Sequence, residues 1–236
     1  MTTTAATTGS TVFGKIGFRF ETVIERADPA LIAELAKYPT PNIADAMNRF
    51  RVMDPGMKPA NEGDFIAGPA VTVMCAPGDN LMFHKALSLA KPGDVIVGNY
   101  FGHMMDAGFG GLMGRSAKKI GIAGVIIDGA IRDVEDFKEL GLPAYSRTIV
   151  ASGCFKDGPG EVNFPVQCGG VVVMPGDVVI ASKDGIVVVP KADAAYVLQE
   201  TKAIFEREAK RIKEIAAGVI FKPDIDNTLR AKKVIE

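Results

Sequence analysis

The chain has 236 residues, 47% of them hydrophobic, enough to bury a sizeable core and within the usual range of one large domain. Its 27 basic and 28 acidic residues leave a net charge of −1, which excludes a global field that would draw it to nucleic acid or to an anionic membrane. No apolar run is long enough to span a bilayer, and any anionic ligand must be held by a local site.

Residues 1–12 are rich in Thr and Ala and read as a loose arm ahead of a single α/β domain over 13–236. Asp28-Pro29 and Thr40-Pro41 each open an apolar-periodic stretch and read as capped helix starts with Pro at the first helical position. From Phe65 onward, Val- and Ile-rich runs at 70–74, 95–97, 125–127, 171–173, 178–181 and 186–189 predict strands. Helical spacing lies between them at 81–89, 112–120 and 134–140, so strands and helices alternate in the middle of the chain and a mixed α/β core follows. Pro-Gly-Asp recurs at 77–79, 92–94 and 175–177, and reads as turn chemistry.

A last long helix is predicted from about Ala192 to Ala216, with Val197, Ile204, Ile212 and Ile215 on one face. Glu208 shares that face, while Glu206 projects roughly 200° away. A carboxylate on an apolar stripe needs a partner, because burying it unpaired is costly. Cys75, Cys154 and Cys168 are odd in number, have no CxxC spacing and follow no signal-like segment, which leads us to expect structural thiols in a cytoplasmic protein.

The segment Phe109 to Phe137 carries the most chemistry: a glycine-rich turn opens a helix, the strand AGVIIDG follows, and Arg132-Asp133 begin the next element. Backbone N–H groups at a helix start favour a carboxylate or phosphate, and Arg132 can close on the same anion with a planar two-donor fork. Asp133 supplies a hard oxygen ligand suited to Mg²⁺ or Mn²⁺, although a plain helix cap is the alternative for that residue. Gly108, Gly110 and Asp128 imitate a dinucleotide fingerprint, but the first Gly does not follow its strand directly and Met113 holds the third glycine's place. Two histidines are too few for a multi-histidine zinc centre in one chain, and His84 reads as a surface or packing residue. No Ser stands in a GxSxG elbow.

Several motifs in fixed order then resemble one family: PGDNLMFHKALSLAKPGDVIVGN, the run from Gly111 to Asp136 (a Gly, twenty residues, Arg-Asp, two residues and an acid), KDGPGEVNFPV, and GGVVVMPGDVVIASKDGIVVVP. The chain resembles, from about Ala36 to Lys210, the class II pyruvate aldolases acting on 4-hydroxy-4-methyl-2-oxoglutarate and 4-carboxy-4-hydroxy-2-oxoadipate, with their relatives named regulators of ribonuclease activity A. The resemblance implies a swivelling β/β/α domain, a mixed central sheet or barrel flanked by helices, assembled as homotrimers or homohexamers with sites between protomers. It implies that Asp133 binds Mg²⁺ or Mn²⁺, that Arg132 holds the pyruvyl oxygens, and that the turn Gly110, Gly111 and Leu112 holds the carboxylate of a small 2-oxo acid. The helical carboxylate from an adjacent protomer would fall near Glu208. Oxaloacetate decarboxylation is the implied side activity; the alternative is a non-catalytic regulator that binds an RNA-processing ribonuclease. Many relatives carry Asp or Glu where this chain has Gly111, and Asp106 is the nearby acid that could replace it.

Overall fold

A computed structural model describes residues 12–236; the expected arm over 1–12 lies outside them except for Val12. The chain opens with β1 (Val12–Lys15) and β2 (Phe18–Glu21), then α1 (Pro29–Leu35), α2 (Thr40–Ala46) and β3 (Lys58–Pro59). The central run is β4 (Ile66–Cys75), α3 (Leu81–Leu89), β5 (Val95–Phe109), α4 (Gly111–Ile120), β6 (Gly124–Ile131), α5 (Val134–Leu140) and β7 (Ala144–Ile149). Short strands follow as β8 (Gly160–Val162), β9 (Val166–Cys168), β10 (Val171–Val173), β11 (Val178–Ser182) and β12 (Gly185–Val189), before α6 (Ala194–Ala216) and α7 (Pro223–Ala231). The helices expected at 81–89 and 134–140 occur with those bounds.

Strands β4, β5, β6 and β7 pair in parallel, each joined to the next through a helix. Parallel neighbours require such crossovers, and the strand–helix alternation read in the middle of the chain supplies them. On the β3 side the sheet ends antiparallel to β7; on the other, β8 runs antiparallel to β4 and carries β2 and β1 beyond it.

Alternation along the strands divides the core. Val71, Val73, Ile96, Val125 and Ile127 face α3, α4 and α5 with Phe83, Phe109 and Phe137. Ala70, Val95, Val97, Ile126 and Tyr145 face the other way, against β9 to β12. The outer side of β11 and β12 packs on α1, α2 and the first half of α6. The result is a mixed sheet flanked by helices, with a second strand layer between it and α1, α2 and α6.

The three Pro-Gly-Asp turns are built as the sequence implied. Gly78, Gly93 and Gly176 all have left-handed φ, between +77° and +86°. The aspartates are buried and satisfied: Asp94 by a two-pronged pair with Arg26, Asp177 by the N–H groups of Met174 and Lys191. Asp28 caps α1 through Ala30 N–H, whereas Thr40 is not the cap of α2: Pro39 occupies that place and the Thr40 hydroxyl donates to Ser182 Oγ. No helix among the described residues is long and apolar enough to cross a membrane.

Candidate functional site

The carboxyl ends of parallel strands form the usual ligand crevice of such sheets, because the following helices begin there with unpaired N–H groups. Here β5 ends at Phe109 and β6 at Ile131, and the Arg132 N–H donates to Phe109 O at 3.1 Å, which holds the two strand ends together. A cavity of ≈ 140 Å³ opens at this point, walled by Gly110 to Met113, Arg132 and Asp133 on one side and by Asn80, His84, Gly153, Cys154 and Lys156 on the other. The structure thus brings together Gly110, Gly111, Leu112, Arg132 and Asp133.

Asp133 occupies the cap position of α5 with φ +59° and makes no side-chain cap bond to that helix. Its Oδ2 instead accepts the Gly111 N–H at 2.9 Å, across the turn at the start of α4. The capping alternative is therefore met in an unexpected way: Asp133 caps the neighbouring helix. A non-glycine residue in the left-handed region stores strain, and the bond to Gly111 is part of what holds it. No hydrogen bond among the described residues engages Asp133 Oδ1.

Two glycines make this approach possible. A Cβ on Gly110 would lie 2.9 Å from Asp133 Oδ2 and 3.1 Å from Arg132 Cγ; one on Gly111 would lie 2.0 Å from Asp136 Oδ2. Asp136, not Asp106, is thus the carboxylate that fills the space beside Gly111, and its Oδ1 accepts from Arg115 at 3.0 Å. Asp106 is engaged elsewhere, by His103 and Ser152. Leu112 and Met113, in the first turn of α4, have N–H groups with no acceptor in the preceding turn, so the helix start presents donors and a partial positive charge to the cavity.

The opposite wall was not read from the sequence as part of a site. Asp79 accepts the N–H groups of Leu81, Asp157 and Gly158, which ties the start of α3 to the segment carrying Lys156. Asn80 is 8% exposed, and its amide donates to Met113 Sδ at 3.6 Å, a weak acceptor. His84 stands one turn along the same face of α3. Burial, then the Lys156 ammonium, hold its imidazole below the ordinary histidine range, so the wall carries one positive charge and two polar groups at neutral pH. The signal that could have found it is the i, i+4 spacing of Asn80 and His84 directly after a Pro-Gly-Asp turn. Burial raises the Cys154 thiol pKa, while the Tyr100 OH 2.8 Å away works in the opposite direction.

Glu208 is not in this cavity. Of the face expected to be shared with Ile204 and Ile212, this chain itself covers only the first part: Ile204 is 9% exposed, Ile212 is 66% exposed and Glu208 is exposed. Helix α6 packs on α1 and α2 through Ala194, Val197, Leu198, Thr201 and Ile204, and its last turns run past them. Glu208 keeps one polar tie, accepting from Asn42 Nδ2 at 2.7 Å.

Other features do not compete. The dinucleotide imitation fails structurally, since Gly108 lies inside β5 and the buried Asp128 is spent on Arg147 and the Gly169 N–H. A larger cavity of ≈ 450 Å³ beneath α1 is mostly apolar, and the Arg26–Asp94 pair at its wall is already mutually satisfied.

Among known proteins, the chain is 38% identical over 197 residues to a Halalkalibacterium halodurans protein named "Putative 4-hydroxy-4-methyl-2-oxoglutarate aldolase", covering 84% of this chain and 94% of that one. It is 36% identical over 115 residues to the 4-hydroxy-4-methyl-2-oxoglutarate aldolase of Thermus thermophilus, covering 48% and 69%. Its backbone superposes on Streptomyces coelicolor RraAS2, described as an unusual member of the RNase ES inhibitor RraA protein family, with a TM-score of 0.73 at 28% identity, covering 81% and 99%. Residues 40–188 match the RraA-like family, Aldolase/RraA, and the chain belongs to that family.

Proposed function

We propose that the protein is a divalent-metal-dependent aldolase that cleaves 4-hydroxy-2-oxo carboxylic acids into pyruvate and a second keto acid, with oxaloacetate decarboxylation as a side activity. The observation that carries this reading is the convergence of Arg132, Asp133 and the start of α4 on one cleft. The donor set is tested by its chemistry: among the described residues no group of three His, Cys, Asp or Glu could hold a metal ion, which disfavours a zinc cage. One carboxylate with a free oxygen fits Mg²⁺ or Mn²⁺, which keep most of their waters. Asp133 would hold the ion, and when bound it would supply Lewis-acid stabilisation of enolate charge.

The chain's own groups account for the rest. The N–H groups of Leu112 and Met113 hold the substrate C1 carboxylate at the helix start. Arg132 faces the 2-oxo oxygen, where negative charge grows as the C3–C4 bond breaks and its electron pair passes into the pyruvate enolate. Asn80, His84 and Lys156 suit the anionic remainder of the substrate. The C4 hydroxyl loses its proton as the new carbonyl forms, and the enolate is then protonated at C3. Loss of CO₂ from oxaloacetate leads to the same enolate. Glu208 would reach a cleft only from a neighbouring copy in a trimer or hexamer, where it would take up the C4 hydroxyl proton directly or through water.

The experiment is pyruvate release from 4-hydroxy-4-methyl-2-oxoglutarate and from oxaloacetate, with Mg²⁺ or Mn²⁺ and with excess chelator. Turnover should require the metal, and Asp133→Ala should lose about 10²–10³-fold with the fold retained by circular dichroism. Silence of the wild type on both substrates with metal present would overturn the enzyme reading. It would favour the second one, a ribonuclease-binding regulator, which the likeness to RraAS2 supports.

A further inference from the structure

Arg132 is held inside the chain by weak polar contacts: its Nη1 donates to Ala151 O at 3.5 Å, and its Nε lies 3.5 Å from Asp133 Oδ2. Such distances do not fix a guanidinium plane. Its walls do. A Cβ on Gly153 would lie 2.6 Å from Arg132 Nη1 and 3.3 Å from Cζ, while on the other side a Cβ on Gly110 would lie 3.2 Å from Nε. The side chain runs in a slot between two bare glycine backbones.

The Gly110 wall is anchored by the start of α4. The Gly153 wall belongs to the irregular segment after β7 and needs its own anchor. Ser152 Oγ donates to Asp106 Oδ1 at 2.5 Å, and His103 Nε2 lies 3.0 Å from Asp106 Oδ2. The Ala107 N–H donates to Ser152 O at 2.9 Å, and Cys154 Sγ donates to Ala107 O at 3.1 Å. Tyr100 packs edge-on against the His103 ring, with centroids 5.3 Å apart. Residues 152–154 are therefore stitched to the second half of β5, and the Asp106 side chain joins His103 to Ser152. Hydrogen bonds from Ser152 first, and from His103 second, hold its carboxyl below the ordinary range, so it is an acceptor for both at neutral pH.

We propose that Asp106 is a positioning residue: by joining His103 to Ser152 it fixes the Gly153 wall and, through that wall, the plane of the Arg132 guanidinium. The kinetic part of the test rests on the aldolase reading; the chemical part does not. Wild type, Asp106→Ala, Asp106→Asn and Ser152→Ala are each treated with phenylglyoxal, and modification of Arg132 is followed by peptide mass spectrometry, with the remote, exposed Arg49 as internal standard. Release of the wall should raise the Arg132 rate relative to Arg49 several-fold in Asp106→Ala and Ser152→Ala. Asp106→Asn, which keeps an acceptor for Ser152, should restore most of the wild-type ratio. In the pyruvate-release assay the two disrupted variants should lose about tenfold in kcat, with KM changed less than about twofold, because a misaimed Arg132 fails where charge develops. An unchanged modification ratio in Asp106→Ala overturns the proposal, as does a lowered melting temperature with wild-type kinetics. A wild type without turnover would defeat the aldolase reading, while the modification ratio would still decide the role of Asp106.

Discussion

Arg132 and Asp133 are fitted closely against glycine backbone of their own chain while their tips stay open to the cleft, whereas Glu208 has one partner and an open apolar flank. Around the first pair, Gly110, Gly111 and Gly153 bring backbone so close that a single added carbon would collide. Along the second half of α6 and beyond it, Ile212, Ile220 and Phe221 are 66–85% exposed, and Glu208 touches the rest of the chain through Asn42. The first region is built from backbone of one copy, and the second presents exposed apolar side chains. The difference teaches where each kind of substitution should register: steric changes in the cleft should act on chemistry within a copy, while changes on α6 should act between copies.

The sharpest break of that contrast is Gly110→Ala. The new methyl would press on both Asp133 Oδ2 and Arg132, and displacing reacting groups by about 1 Å costs on the order of 10²-fold in rate. We expect that loss in kcat/KM with the fold retained by circular dichroism; wild-type activity would show that the cleft tolerates what the geometry forbids.

A smaller effect is expected for Glu208→Gln. It keeps an acceptor for Asn42, so the oligomer mass and melting temperature should hold while turnover falls about tenfold, a typical loss for one proton-transfer group acting through water. Glu206→Gln should be nearly silent. If light scattering instead shows dissociation of Glu208→Gln with unchanged specific activity per assembled particle, the Asn42 tie is structural and the two regions are independent.

The smallest effect concerns the second wall. Burial and Lys156 hold His84 below its ordinary range, and an anion bound beside it favours the protonated ring. Binding therefore takes up a proton, so affinity strengthens as pH falls. KM for the dicarboxylate substrate should drop about threefold between about pH 7.5 and pH 6. The trend should vanish in His84→Gln, and a trend of equal size in that variant would place the titrating group elsewhere.

The parts legible in the sequence were those set by local rules. Val- and Ile-rich runs separated by helical spacing marked β4, β5 and β6 with α3 to α5, and the glycine turn before Arg132-Asp133 marked one wall of the cleft. What escaped was long-range in origin. Asn80 and His84 reach the cavity because Asp79 gathers N–H groups from residues 157 and 158, a contact across 79 positions that no local pattern encodes. Helical periodicity put Glu208 on one face with Ile204 and Ile212, but it does not report how far along the helix the chain's own neighbours extend, and here they end near Ile204. Asp106 was considered as a stand-in acid on proximity in sequence, while the space beside Gly111 is taken by Asp136, twenty-five positions away.

The left-handed backbone of Asp133 bears on descent. Holding a residue with a Cβ in that region costs about 1 kcal/mol, and Asn tolerates it as well as Asp does. Asn would also keep an acceptor for the Gly111 N–H, and its codons lie a single base away from those of Asp. A duplicated gene copy released from catalysis thus meets no folding barrier to losing its carboxylate there. Within such a lineage Asp133 would erode early, well before the glycines around it, whose replacement jams the backbone whether or not any chemistry remains.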